Sequence, residues 1–213
     1  MDRVIGIIGI ISGFMCALAD TPLAYFYDEN NQKIGQRRDI QTGWQTASSK
    51  RFYLSFLLSF LGQPGCYLVM WRLAEMIGKE NDTMCSILKI CTFLGCYTGL
   101  ITHAVFCIKP LVYKHIYQEA SLKTSETALH ETDRLTILPV LVCSFTLIII
   151  PAFLISAAIW QGILPVSRLW IIFNPIFLMI AMLAVKKAFP KLPLIGFMGT
   201  GFIVYSALLL TIS

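Results

Sequence analysis

The sequence predicts an all-α polytopic membrane protein, a single domain built as a bundle of six transmembrane helices. Three observations predict it. Of the 213 residues, 56% are hydrophobic and only 14% charged, with a mean hydropathy of +0.70. Soluble domains run at about 45–50% and about 25%. No water-facing surface absorbs that excess, which excludes a soluble globule, a disordered chain and a disulfide-rich secreted module. The charges also bracket long apolar runs near the length of about 20 residues that a spanning helix needs. Finally, the 17 basic residues divide unevenly between the two sets of connections, as membrane topology requires.

The first helix is expected over 4–27, interrupted only by Asp20. The second, 52–73, carries Gln63-Pro64-Gly65, read as an interruption. The third, 84–109, begins with Lys89 snorkelling outward. An uncharged run over 135–167 holds a fourth helix, 135–159, kinked at Pro151, and a short connection with Pro165. The fifth, 168–185, is broken by Asn174-Pro175, and the sixth covers 192–212. The polar stretches 28–50 and 109–134 read as solvated connections too short for domains. No internal repeat of the kind found in inverted-repeat transporters is visible.

Arg3, Arg72, Lys79, Lys89 and Arg168 fall on one side, against twelve basic residues on the other, from Lys33 to Lys191. That asymmetry places the loops after helices one, three and five in the cytoplasm and both termini outside a plasma membrane. The same charges suit anionic lipids, so the basic balance implies no nucleic-acid partner. A competing reading exists for the N-terminus. Arg3, the apolar stretch 4–14 and Ala17-Leu18-Ala19 before Asp20 also match a secretory signal peptide. The resumption of apolar residues after Pro22, and the basic residues beyond, favour a retained helix.

The seven cysteines lie in or at the edge of apolar spans, without a C-x-x-C or zinc-like spacing. They read as packing residues, and no metal or cofactor is expected.

Two ionisable side chains lie well inside the spans, Asp20 and His103, with Arg51 at the mouth of helix two. Such groups usually face the bundle interior and are functional candidates. Each ends a seam of small residues at steps of three and four, which share one helical face. Gly6, Gly9, Gly13 and Cys16 lead to Asp20; Thr92, Gly95 and Gly99 lead to His103; Arg51 continues into Ser55, Ser59, Gly62 and Cys66. Small seams let helices approach closely in lipid, and Gly196, Gly199 and Ile203 read the same way on helix six. Antiparallel threading brings all three polar groups to the cytoplasmic third. The expected result is a polar pocket of Asp20, Arg51 and His103, rimmed by Trp44, Tyr53 and Thr102, with Gln63 and Asn174 at the two helix interruptions. An Asp–Arg or Asp–His pair can equally clamp helices without binding anything.

These residues resemble an uncharacterised family of six-pass bacterial membrane proteins. The likeness rests on Ala19-Asp20-Thr21-Pro22-Leu23-Ala24-Tyr25, on Trp44 and Arg51 ahead of Leu61-Gly62-Gln63-Pro64-Gly65, on Gly99-x-x-x-His103 and on Asn174-Pro175. It covers nearly the whole chain, although Pro22 departs from a leucine-rich continuation. The resemblance implies an architecture and a choice of residues, and no chemistry.

Three functions fit. One is binding or transport of a small lipophilic or amphipathic molecule, or of a lipid, at the polar pocket. Another is a structural or accessory role beside a membrane-protein partner. The last is an intramembrane enzyme in which Asp20 and His103 act as acid and base, Arg51 holds an anionic head group and Ser55 or Ser59 serves as nucleophile.

Overall fold

The computed structural model describes residues 1–24, 44, 47–189 and 196–213, and among them all regular structure is helical. Helix α1 (Asp2–Ala19) is followed after Asp20 by a single turn, α2 (Thr21–Ala24). Then come α3 (Ser49–Ile77), α4 (Asp82–Glu119) and α5 (Leu122–Ser144). A π-turn (Phe145–Ile149) joins α5 to α6 (Ile150–Trp160). A 3-10 segment (Arg168–Phe173), α7 (Pro175–Ala188) and α8 (Phe197–Ile212) complete the chain. Four stretches are long and apolar enough to cross a membrane: Asp2–Leu23, Ser49–Ile77, Asp82–Glu119 and Lys123–Trp160. Pro175–Val185 and Met198–Ile212 are shorter apolar helices. Large apolar side chains cover the outside, among them Ile7, Ile11, Phe14, Leu57, Phe60 and Phe153, as expected of a surface solvated by lipid.

Several helix ends differ from those the sequence predicts. The first helix stops at Ala19, three residues before Pro22, which has no N–H to continue the ladder. Residues 25–27, most of the 28–50 connection and the start of the sixth expected helix, 192–195, lie outside the described residues. Pro64 sits inside an unbroken α3, where the expected interruption does not occur. The polar stretch 109–134 is not a loop. It is a helical hairpin, with α4 running 38 residues to Glu119, Ser121 capping α5 at Thr124, and Lys109 paired with Asp133 across it. Polar residues at helical spacing form helices as well as apolar ones when a partner helix lies alongside. Pro151 is accommodated by the π-turn, in which the Ile150 N–H reaches back to Phe145. The break at Asn174-Pro175 is present, with Asn174 capping α7 at the Ile176 N–H.

α1 lies between α3 and α8, while α4 packs against α3 and α5. Contacts fix the directions. Asp2 meets Arg72 near the end of α3 at 2.9 Å. A Cβ added at Gly6 would come 2.6 Å from Leu210 near the end of α8, and Gly196 at the start of α8 lies beside Asp20. Both termini therefore share one end of the bundle, and Asp20 marks the other. The glycine seams are where the helices touch. A Cβ at Gly62 would come 2.8 Å from the Ser12 carbonyl, one at Gly13 2.7 Å from Ile203, and one at Gly199 2.6 Å from the Ala17 Cα. The fully buried core, including Leu73, Ile77, Leu88, Ala158 and Leu209, fills the terminal end.

Candidate functional site: a helix break lined by Asp20, Ser55 and His103

α1 ends inside the bundle, so its last carbonyls need donors. Neighbouring helices supply them. The Gly196 N–H donates to the Ala17 carbonyl at 2.9 Å. The Ser55 hydroxyl donates to the Ala19 carbonyl at 2.7 Å, and Arg51 Nε donates to the Pro22 carbonyl at 2.9 Å. The Asp20 carbonyl accepts from the Leu23 N–H. α3 and α8 are thus tied to the break by hydrogen bonds to backbone oxygens.

Against this frame, Asp20 Oδ1 lies 3.6 Å from His103 Nδ1, with the aspartate side chain 44% exposed and the histidine 12%. The other carboxylate oxygen sits beside Gly196, the N-cap of α8; a Cβ there would collide with it. The positive end of α8 favours a negative charge at that spot. His103 Nε2 lies 3.1 Å from Ser55 Oγ and 3.3 Å from the Ser55 carbonyl oxygen. The Cys107 thiol donates to the same hydroxyl at 3.4 Å.

Aspartate, histidine and serine in line have the outline of an acyl-transfer triad, but the donors run the wrong way. In that chemistry the serine donates to the imidazole. Here the one proton of fully buried Ser55 is directed to the Ala19 carbonyl. A carbonyl only accepts, so Nε2 beside the Ser55 oxygens carries a proton and donates. Ser55 is a capping hydroxyl that anchors His103. Ser59 accepts from the Gln63 side-chain amide at 3.0 Å.

Of the expected pocket residues, Asp20, His103 and Arg51 converge at the break. Thr102 is buried next to His103, and its hydroxyl has no hydrogen-bond partner among the described residues. Gln63 lies two turns along α3 from Ser55, bonded to Ser59 and accepting from the Tyr67 hydroxyl at 3.3 Å. Trp44 packs edge-on against Tyr113 at 5.9 Å, beyond the site on the hairpin. Tyr53 points away, 62% exposed on the outer face, since it is two positions from Ser55 and a helix turns such neighbours apart. Asn174 is remote, donating to the Ala152 carbonyl and to Ser156 at 2.9 and 2.8 Å. Ser55, Cys107 and Gly196 complete the site. Ser55 and Cys107 stand four residues from Arg51 and His103, so their spacing carries the signal. Gly196 reads in the sequence only as part of a packing seam, because its place at the site depends on where α8 begins.

No groups that could hold a metal ion occur among the described residues. No curated protein and no solved structure matches the chain. The profile of a family of unknown function, DUF6796, matches residues 1–213, and the chain belongs to that family.

Proposed function

We propose that this chain is a six-pass plasma-membrane protein that binds and moves a small lipophilic or amphipathic molecule at the helix break around Asp20. The observation that carries the reading is a half-exposed carboxylate beside a largely buried histidine where α1 stops. Elsewhere glycine-lined contacts close the interface between α1 and its neighbours. A break that leaves backbone and charge at membrane depth belongs where a cavity or pathway is lined. For the fifth crossing, the helical rises of the 3-10 segment and α7 sum to roughly 33 Å when the two run end to end, enough for the hydrocarbon core. α8 returns to the end where α1 begins. Among the described residues, Lys50, Arg51, Lys109, Lys114, Lys123 and Arg134 belong to the Asp20 end, which supports reading that end as cytoplasmic and both termini as outside.

The test is native mass spectrometry of gently purified wild type beside Asp20→Asn. A bound molecule of defined mass, lost in the variant, supports the reading. Two bare spectra from equally folded proteins overturn it and favour a clamp.

An accessory role is the second reading, and the α4–α5 hairpin favours it. α4 continues 16 residues past His103, about 24 Å of helix, which gives a membrane-protein partner a surface at the Asp20 end. Affinity isolation that returns the protein alone counts against it.

A further inference from the structure

The hydrogen bonds around His103 determine how many protons the site holds. Ser55 Oγ has one proton and two lone pairs. The proton goes to the Ala19 carbonyl, and the lone pairs accept from Cys107 and from His103 Nε2. With Nε2 protonated, a neutral imidazole would aim the bare lone pair of Nδ1 at an Asp20 oxygen 3.6 Å away. Two lone pairs facing each other across a weakly polar interface repel. One additional proton on the Nδ1–Oδ1 axis turns that repulsion into attraction, as imidazolium with carboxylate or imidazole with carboxylic acid.

We infer that Asp20 and His103 form a proton-binding site, which holds one exchangeable proton that latches the end of α1 to α4. When the proton leaves, as pH rises, the pair carries one negative charge and the latch becomes repulsive. The half-exposed Asp20 gives the proton its way in and out. Among the described residues, few other charged or titratable groups face the pair. On α3 there is Arg51, bonded to the Pro22 carbonyl, and on α4 Cys107, bonded to Ser55. α2 and residues 197–212 of α8 carry no charged side chain. This site stands on hydrogen-bond geometry and goes beyond the ligand reading, which fails or survives separately in the mass spectra.

The experiment is ring-nitrogen NMR of the protein labelled with 15N-histidine in lipid nanodiscs, across a pH series. His103 is assigned by comparison with His115→Gln and His130→Gln, since the chain has 3 histidines. Wild type is expected to show Nε2 protonated throughout, with the Nδ1 resonance shifting as the proton on the Nδ1–Oδ1 axis leaves with rising pH. Proton release measured on the same sample should be one per chain larger than in Asp20→Asn, whose amide donates to Nδ1 without titrating. An Nδ1–H tautomer with a bare Nε2 overturns the inference and restores the triad. Equal proton release from wild type and a folded Asp20→Asn also overturns it. The wild-type tautomer alone decides if the variant fails to fold.

Discussion

Replacing Gly199 with alanine tests the contact that brings α8 to the Asp20 break. The added Cβ would lie 2.6 Å from the Ala17 Cα and 2.7 Å from the Gly13 carbonyl oxygen. Carbon atoms rest about 3.5–4.0 Å apart, so α8 must draw back by roughly 1 Å. All the atoms it meets are backbone, and no rotamer change relieves them. The retreat also loosens the contacts of Gly13 with Ile203 and of Gly6 with Leu210. Overpacking of this kind costs about 1–3 kcal/mol, against up to about 1 kcal/mol returned by alanine's better helix propensity. The net loss expected is about 1–2 kcal/mol, a factor of roughly 5–30 in the folded-to-unfolded ratio. Gly201→Ala is the control. There the Cβ would meet only the Pro175 ring, at 3.2 Å. A shift of a few tenths of an ångström accommodates it, so propensity roughly offsets the crowding. Unfolding both variants by SDS titration in mixed micelles measures the difference. A Gly199→Ala protein as stable as Gly201→Ala would refute the antiparallel backbone contact of α1 with α8, and with it the placement of Gly196 over Asp20.

Ser55→Ala removes the donor to the Ala19 carbonyl, leaving that group unanswered at about 1–3 kcal/mol, while His103 keeps the backbone carbonyl of position 55; an unfolding midpoint equal to wild type would contradict the capping role. A fluorophosphonate probe should leave Ser55 unlabelled, and labelling lost in Ser55→Ala would reinstate the nucleophile. Asn174→Ala loses the cap on α7 and the bonds to Ala152 and Ser156, so thermal unfolding should show a loss of about 1–2 kcal/mol; no change would count against that clamp. Tags at the two termini should react with a membrane-impermeant reagent from the same side of sealed vesicles, and opposite-side labelling would exclude six crossings.

What the sequence reveals follows from which forces act locally. Burial in lipid requires unbroken apolar length, so charge-free runs locate the long helices directly. Helical periodicity is also local, which is why the glycine seams and the approach of Asp20 to His103 can be anticipated from steps of three and four. Helix ends are different. Pro22 stops α1 and Pro64 leaves α3 intact, although both are prolines in apolar surroundings. At the Pro22 break the freed carbonyls are answered by Ser55, Arg51 and the Gly196 N–H from other helices, and that is a tertiary fact. The 109–134 hairpin escaped for a related reason. Its polarity matches a solvated loop, and only the packing of two helices past the apolar region, with Tyr113 and Leu129 buried between them, makes it regular. Tyr53 shows the cost of reading proximity in sequence as proximity in space.

The choice between a clamp and a working site turns on which polar groups the fold needs. A helix that ends among other helices must have its carbonyls answered, and Ser55, Arg51 and the Gly196 N–H answer Ala19, Pro22 and Ala17. Those three groups are explained by backbone chemistry alone. The Asp20 carboxylate serves none of these carbonyls, because it only accepts. Its structural services, facing the start of α8 and meeting His103 Nδ1, an asparagine would perform about as well. His103 is likewise dispensable to the break, since Ser55 reaches the Ala19 carbonyl without it. A clamp would be complete with neutral residues at positions 20 and 103. What aspartate and histidine add, and asparagine and glutamine would not, is a proton that can leave. Asp20→Asn therefore separates the two roles: a pure clamp keeps its stability and every other property in that variant, whereas a working site keeps its stability and loses its proton.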